Sequence, residues 1–250
     1  MLKALIFDVD GTMADTERDG HRVAFNQAFQ AANLDWNWSV ELYGELLAIT
    51  GGKERIRHYL ERHNPTFEAP AELKDFIAGL HAAKTDRYCN LLAEGRIPLR
   101  TGVERLLQEA RAAGIRLAIA TTTTLPNVTV LLEHTLGKES LDWFDIIAAG
   151  DIVPAKKPAP DIYIHVLEKM GWAPDECLAL EDSENGLASA AQANLKTAIT
   201  INDYTRTHKF EGAALVLDCF GEPDAPFQVL AGDTAGSEYF SVDLARSLLA

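Results

Sequence analysis

Short apolar runs and helix-period segments alternate along most of the chain. The runs fall at residues 2–7 (LKALIF), 115–120 (IRLAIA), 144–149 (FDIIAA), 177–180 (CLAL) and 196–201 (KTAITI). None alternates apolar with polar, the pattern of strands buried on both faces of a parallel sheet. Between the later runs, residues 102–113, 127–137, 160–171 and 184–193 repeat apolar positions with helical spacing. Pro160 at a helix start and Gly171 just past its end mark one of them. Strand, helix and strand repeated in this way predict a doubly wound, mostly parallel α/β sheet with a Rossmann-like core.

The first run breaks the rhythm, because no second strand arrives before residue 115. Residues 20–32, 38–50, 53–63 and 71–93 read as helices instead. We therefore expect an all-helical domain at residues 16–95, inserted into a core made of residues 1–15 and 96–250. Gly95 to Gly102 (GRIPLRTG) is the expected return hinge, punctuated by glycine and proline. The last forty residues predict one further short apolar run at 214–217, a loop rich in Gly, Pro and Asp, and a final helix. No repeat or low-complexity tract stands out.

Charge narrows the function. The chain carries 37 Asp and Glu against 23 Lys and Arg, a net charge of -14. Such a surface repels a phosphate backbone or an anionic membrane, so nucleic-acid and lipid partners are not expected. A phosphorylated ligand would need local positive charge. Cys89, Cys177 and Cys219 are too scattered for a disulfide framework or a zinc site. No apolar run approaches a membrane span, and no signal-like region precedes the first strand. A cytoplasmic protein is expected, with a chloroplast stromal protein after loss of a transit peptide as the alternative.

Asp8 to Thr12 (DVDGT) follows the first strand directly. Two carboxylates so placed repel one another unless a cation lies between them or one stays protonated. An Asp-rich turn accounts for the same residues. A calcium loop does not, since its glycine stands sixth and Gly11 is fourth. Other strand ends add to the set. The second runs into TTTTLPN (121–127), whose hydroxyls and helix start suit a phosphate, although Thr124 as a helix cap explains them too. The third is followed by Lys156 and Lys157, a pair that surface exposure alone would also explain. The fourth ends in Glu181 and Asp182, where an acid also serves as an N-cap. Open α/β sheets bind ligands beyond the carboxyl ends of their strands. Asp8, Asp10, Thr121, Lys157 and Asp182 all lie there, a donor set suited to a Mg²⁺-bound phosphoryl group.

These four motifs, in this order, resemble those of the haloacid-dehalogenase superfamily. A closer resemblance, to CbbY-type sugar-bisphosphate phosphatases, is carried by DTERDGHR (15–22), ELYGELL (41–47), TGGKER (50–55), FIAGLHAAKT (76–85), TTTTLPN (121–127) and KKPAPDIY (156–163). It implies that the helical insertion is a substrate-selecting cap. It further implies Mg²⁺-dependent removal of the 1-phosphate of xylulose-1,5-bisphosphate, an inhibitor of Rubisco in the Calvin cycle, giving xylulose 5-phosphate. Under it Asp8 is the nucleophile and Asp10 the acid and base. Asp8, the Asp10 carbonyl and Asp182 hold the metal, with Glu181 behind them. Thr121, Thr122 and Lys157 bind the transferring phosphate.

In the cap the resemblance assigns substrate contacts to Glu17, His21, Gly51, Gly52, Lys53, Arg55, His81 and Lys84, and in the core to Asn127. From their residue types alone, Lys53 and Arg55 read as solvated helix residues, a reading that the resemblance reverses; His81 shares a helix face with Lys84, and His21 either touches substrate or braces the hinge. GGKER is not a Walker loop, since Leu47 and Glu54 stand where glycine and a hydroxyl are required. Trp36 and Trp38 read as packing. Two other functions fit the same core: a β-phosphoglucomutase-like mutase and a non-catalytic phosphosugar-binding regulator. A monomer is expected.

Overall fold

Seven strands form one sheet: β1 (Ala4–Phe7), β2 (Arg116–Thr121), β3 (Ile146–Ala149), β4 (Cys177–Glu181), β5 (Lys196–Thr200), β6 (Leu215–Leu217) and β7 (Val229–Gly232). Their order is β3-β2-β1-β4-β5-β6-β7, parallel throughout except for the antiparallel β6–β7 pair. In this computed structural model, which describes residues 1–250, the chain forms two units. Met1–Asp15 and Pro98–Ala250 make one, and Thr16–Ile97 makes the other. The return passage thus falls at Ile97/Pro98, two residues beyond the expected boundary.

The helices are α1 (Arg22–Ala31), α2 (Val40–Leu46), α3 (Gly52–Arg62), α4 (Leu73–Ala93), α5 (Val103–Ala112), α6 (Leu125–Leu136), α7 (Asp161–Met170), α8 (Glu184–Gln192) and α9 (Val242–Leu248). The first four belong to the Thr16–Ile97 unit, preceded by a π-helical turn at Glu17–His21. The sheet is doubly wound, and its two faces differ in side-chain size. Ala4, Ala118, Ala120, Ala148, Cys177 and Ala179 keep one face shallow, which lets Ile162, Tyr163, Val166 and Leu167 of α7 pack closely on it. Leu5, Phe7, Leu117, Ile119, Leu178 and Leu180 alternate with them and are equally buried, so both faces are covered.

Three features depart from the sequence pattern. Strand β7 was not anticipated: all four of its residues are exposed, so it carries no burial signature within a Gly- and Pro-rich loop. The helix expected from residue 20 begins instead as the π turn. The helix expected at 38–50 shrinks to Val40–Leu46. Asn26 holds both backbone groups of Trp38, accepting from its N–H at 2.8 Å and donating to its carbonyl at 3.0 Å. Trp38 is therefore kept out of the helix, and Ser39 caps it by accepting from the Leu42 N–H at 3.2 Å. Trp36 and Trp38 pack with Phe29 and Tyr59 in a buried aromatic cluster, as expected.

Candidate active site

Strand β1 lies between β2 and β4, and the chain moves outward from it in both directions. Its carboxyl end is the switch point where such sheets bind ligands. There the loop turns back at once, with the Gly11 N–H donating to the Ala14 carbonyl at 2.8 Å. Gly11 has φ +87, and a Cβ on it would lie 2.3 Å from Asp182 Oδ2. Both the turn and the approach of Asp182 therefore require glycine.

Lys157 crosses the site and joins its acids. Its ammonium donates to Asp8 Oδ1 at 2.7 Å, to Glu181 Oε1 at 2.5 Å and to the Ala120 carbonyl of β2 at 2.9 Å. Lys157 is 5% exposed and Glu181 1%. Burial disfavours the charge on Lys157, but Asp8 and Glu181 more than offset this and hold its pKa above the usual lysine range. Tyr163 of α7 also donates to Glu181 Oε1, at 2.6 Å, and the Asp182 N–H donates to Glu181 Oε2 at 3.3 Å. Glu181 is thus committed to holding its neighbours.

Asp8 joins this network through Lys157 and Asp182 through its backbone N–H, which leaves the Asp182 carboxylate outside it. Burial raises Asp8 to about 7, with Lys157 acting in the opposite sense and Glu181 and Asp10 adding repulsion. Burial also raises Asp182 well above the ordinary carboxylate range, reinforced by Asp8 and Glu181. Asn202, just past β5, opposes the rise by donating to Asp182 Oδ2 at 2.6 Å. Neither acid caps α8, because Ser183 does so through the Gly186 N–H at 3.1 Å. Asp10 stands half-buried two residues beyond Asp8.

Ligand oxygens of Asp8, Glu181 and Asp182 lie within 4.8 Å of one another. Three buried carboxylates against one lysine leave an excess of negative charge, and hard oxygen donors in that arrangement fit a divalent cation. Beside them, Thr121 is buried at the end of β2 and accepts from the Thr123 N–H at 3.3 Å. Asn127 is buried and donates to Thr123 Oγ1 at 2.8 Å. Thr122 is half-buried between them, and Thr124 stands at the N-terminus of α6 without a side-chain cap bond. Lys156, read as surface, forms an ion pair with Asp151 at 2.9 Å.

Three supporting residues were not picked out from the sequence. Tyr163 and Asn202 are described above, and the third is Arg100. Its guanidinium donates to the Gly11 carbonyl, to the Thr200 carbonyl at 3.1 Å and to the Asp218 carbonyl at 2.7 Å, and its Nε lies 3.2 Å from Asp15 Oδ1. It ties the loop after β1 to the ends of β5 and β6. Only Asn202 had a usable signal, since it follows the fifth strand at its carboxyl end.

The remaining candidates lie in the Thr16–Ile97 unit. Lys84 Nζ is 2.8 Å from His21 Nδ1, both groups buried, and the ammonium lies 5.1 Å from the ring centroids of Phe25 and Tyr88. Gly51 has φ +98, and a Cβ on Gly52 would meet the His81 ring at 2.6 Å, so this glycine pair serves turn and packing. Lys53 is half-buried on the first turn of α3. Arg55 is buried, with Nε on the Leu46 carbonyl, Nη2 on the Ile49 carbonyl and Nη1 on the Tyr43 hydroxyl. Tyr43 donates in turn to Glu17 Oε2 at 2.5 Å.

The model of the haloacid dehalogenase-like hydrolases matches residues 2–194. Protein CbbY of Cereibacter sphaeroides is 50% identical over 222 residues, covering 89% of this chain and 94% of that protein. Two crystal structures of CbbY from Rhodobacter sphaeroides superpose with a TM-score of 0.82, covering 88% of this chain and 95% of that one. One, 49% identical, is in complex with phosphate, and the other, a mutant 48% identical, is in complex with xylulose-1,5-bisphosphate. The chain belongs to the haloacid dehalogenase-like hydrolases, as a phosphatase of the CbbY type.

Proposed function

We propose that the protein is a Mg²⁺-dependent sugar-bisphosphate phosphatase that converts xylulose-1,5-bisphosphate to xylulose 5-phosphate through an aspartyl-phosphate. The observation that carries this reading is the relative crystallised with that bisphosphate, whose identity of 48% extends over 88% of this chain. With that substrate, the reaction clears an inhibitor of Rubisco.

An Asp8 carboxylate oxygen attacks the 1-phosphorus, and the bond from phosphorus to the sugar oxygen breaks. Asp10 gives that oxygen its proton. A water that Asp10 then deprotonates attacks the aspartyl-phosphate, releasing inorganic phosphate and restoring Asp8. Lys157, with Thr121 and Thr122, binds the phosphoryl oxygens and offsets their repulsion by the surrounding carboxylates. Asp8, the Asp10 carbonyl and Asp182 would hold Mg²⁺, which when bound supplies positive charge to the phosphoryl group. Glu181 fixes Lys157, and Asn202 fixes Asp182. In the helical unit, Lys53 is assigned to the distal phosphate and Glu17 to sugar hydroxyls, with His21, Gly51, Gly52, His81, Lys84 and, in the core, Asn127 shaping the remaining contacts.

Phosphate release from xylulose-1,5-bisphosphate, with and without Mg²⁺, beside ribulose-1,5-bisphosphate, phosphoglycolate and β-glucose 1-phosphate, tests this reading. Mg²⁺-dependent release from the xylulose compound, with ribulose-1,5-bisphosphate spared, is the expected result. Equal turnover of the others would remove the substrate assignment. Isomerisation of the glucose phosphate without net phosphate release would replace hydrolysis by mutase chemistry.

A further inference from the structure

Arg55, Tyr43 and Glu17 form a hydrogen-bonded series across three segments of the helical unit. We propose that Tyr43 is a positioning residue, held by Arg55, which fixes the Glu17 carboxylate for recognition of the sugar hydroxyls; this rests on the assignment of Glu17 made above.

The series has one possible direction. A guanidinium has donors and no acceptor, so the Tyr43 oxygen accepts from Arg55 Nη1 at 2.9 Å. The phenolic proton is then directed to Glu17 Oε2, 2.5 Å away. Arg55 is stationary at the start of the series. Its Nε and Nη2 sit on the Leu46 and Ile49 carbonyls at 3.2 and 3.3 Å, where the C-terminal end of α2 favours a cation. Its guanidinium carbon also lies 5.1 Å from the Tyr43 ring centroid. Tyr43 cannot swing away, because it is fully buried with its ring against Phe25 and Trp38 at 6.3 and 6.0 Å.

Glu17 differs from both partners in being half-exposed. It begins the π-helical turn Glu17–His21, whose carbonyl at Glu17 accepts from the Arg22 N–H. Such turns recur at functional sites. A buried cation and a buried phenol thus hold one carboxylate that is not itself sequestered. Arg55, to which the resemblance assigns a substrate contact alongside Lys53, is on this account an anchor for Tyr43.

The test compares Tyr43→Phe, Glu17→Gln and the double variant on xylulose-1,5-bisphosphate and on p-nitrophenyl phosphate, which has no sugar hydroxyls. Tyr43→Phe removes both hydrogen bonds of the phenol, the one from Arg55 and the one to Glu17, and should lower kcat/KM for the bisphosphate about tenfold, chiefly through KM. It should leave p-nitrophenyl phosphate turnover unchanged, with Tm lowered by a few degrees because Arg55 Nη1 loses its buried acceptor. The double variant should be no worse than Glu17→Gln alone. A bisphosphate loss with Glu17→Gln but none with Tyr43→Phe would overturn the positioning role alone. No loss with Glu17→Gln would overturn the assignment of Glu17 itself. Equal losses on both substrates, or additive losses in the double variant, would make Tyr43 a structural residue.

Discussion

The two units organise charge in opposite ways. In the α/β unit, carboxylates from the ends of β1 and β4 converge on one buried lysine, and negative charge is in excess. In the helical unit, the buried cations are Arg55, on the Tyr43 hydroxyl and ring, and Lys84, beside His21 and the Phe25 ring. An anionic centre that fits a cation suits phosphoryl transfer from any ester, whereas individual cations set into a helical unit suit choosing among anionic substrates. Damage to the first unit should therefore affect every substrate, and damage to the second should affect bisphosphates selectively.

The largest expected effect is that of Asp8→Asn. Loss of the nucleophile should cut turnover of all phosphate esters by about a thousandfold or more while sugar-phosphate binding, read by calorimetry, persists. Lys157→Met comes next, with a loss of about a hundredfold on all substrates. Since it leaves Asp8 and Glu181 buried without their cation, it should also cost about 3–5 kcal/mol of stability, seen in chemical denaturation. Lys53→Met should raise KM for the bisphosphate about tenfold and leave p-nitrophenyl phosphate alone. An equal effect on both would erase the division of labour between the units.

The smallest effect concerns the metal and pH. Asp8 ionises at 3.8 in the unfolded chain and near 7 in the fold. Between those values the folded state keeps a proton that the unfolded state has released, so metal-free stability falls as pH rises through that window. A bound divalent cation removes the cause. Adding Mg²⁺ should therefore raise Tm by a few degrees at pH 8 and by less at pH 5. A larger shift at pH 5 would contradict the electrostatic account.

What the sequence disclosed follows the same division. DVDGT and EDSENG each place their acids beside a buried strand, so local order was enough to set Asp8, Asp10, Glu181 and Asp182 at strand ends, while their roles came from the family resemblance. The sheet core was equally legible, because fully apolar runs and a helical period persist in strands and helices packed on both sides. Arg100, Tyr163 and Asn202 were not, since each acts through partners far along the chain. Arg100 reaches residues 89 to 118 positions away. In the helical unit the same limit acted in reverse. TGGKER groups Arg55 with Lys53, and only the fold shows Arg55 bonded to two carbonyls and a phenol. Strand β7 was missed because its side chains face solvent and pairing alone defines it.

The central claim is that Asp8 becomes phosphorylated during turnover. Rapidly quenched enzyme, reduced with borohydride to convert an acyl phosphate to homoserine and analysed by peptide mass spectrometry, reads this directly. The account predicts homoserine at position 8 only when substrate and Mg²⁺ are both present, and none in Asp8→Asn. Full turnover with no modification at position 8, or with modification at another carboxylate, would contradict it.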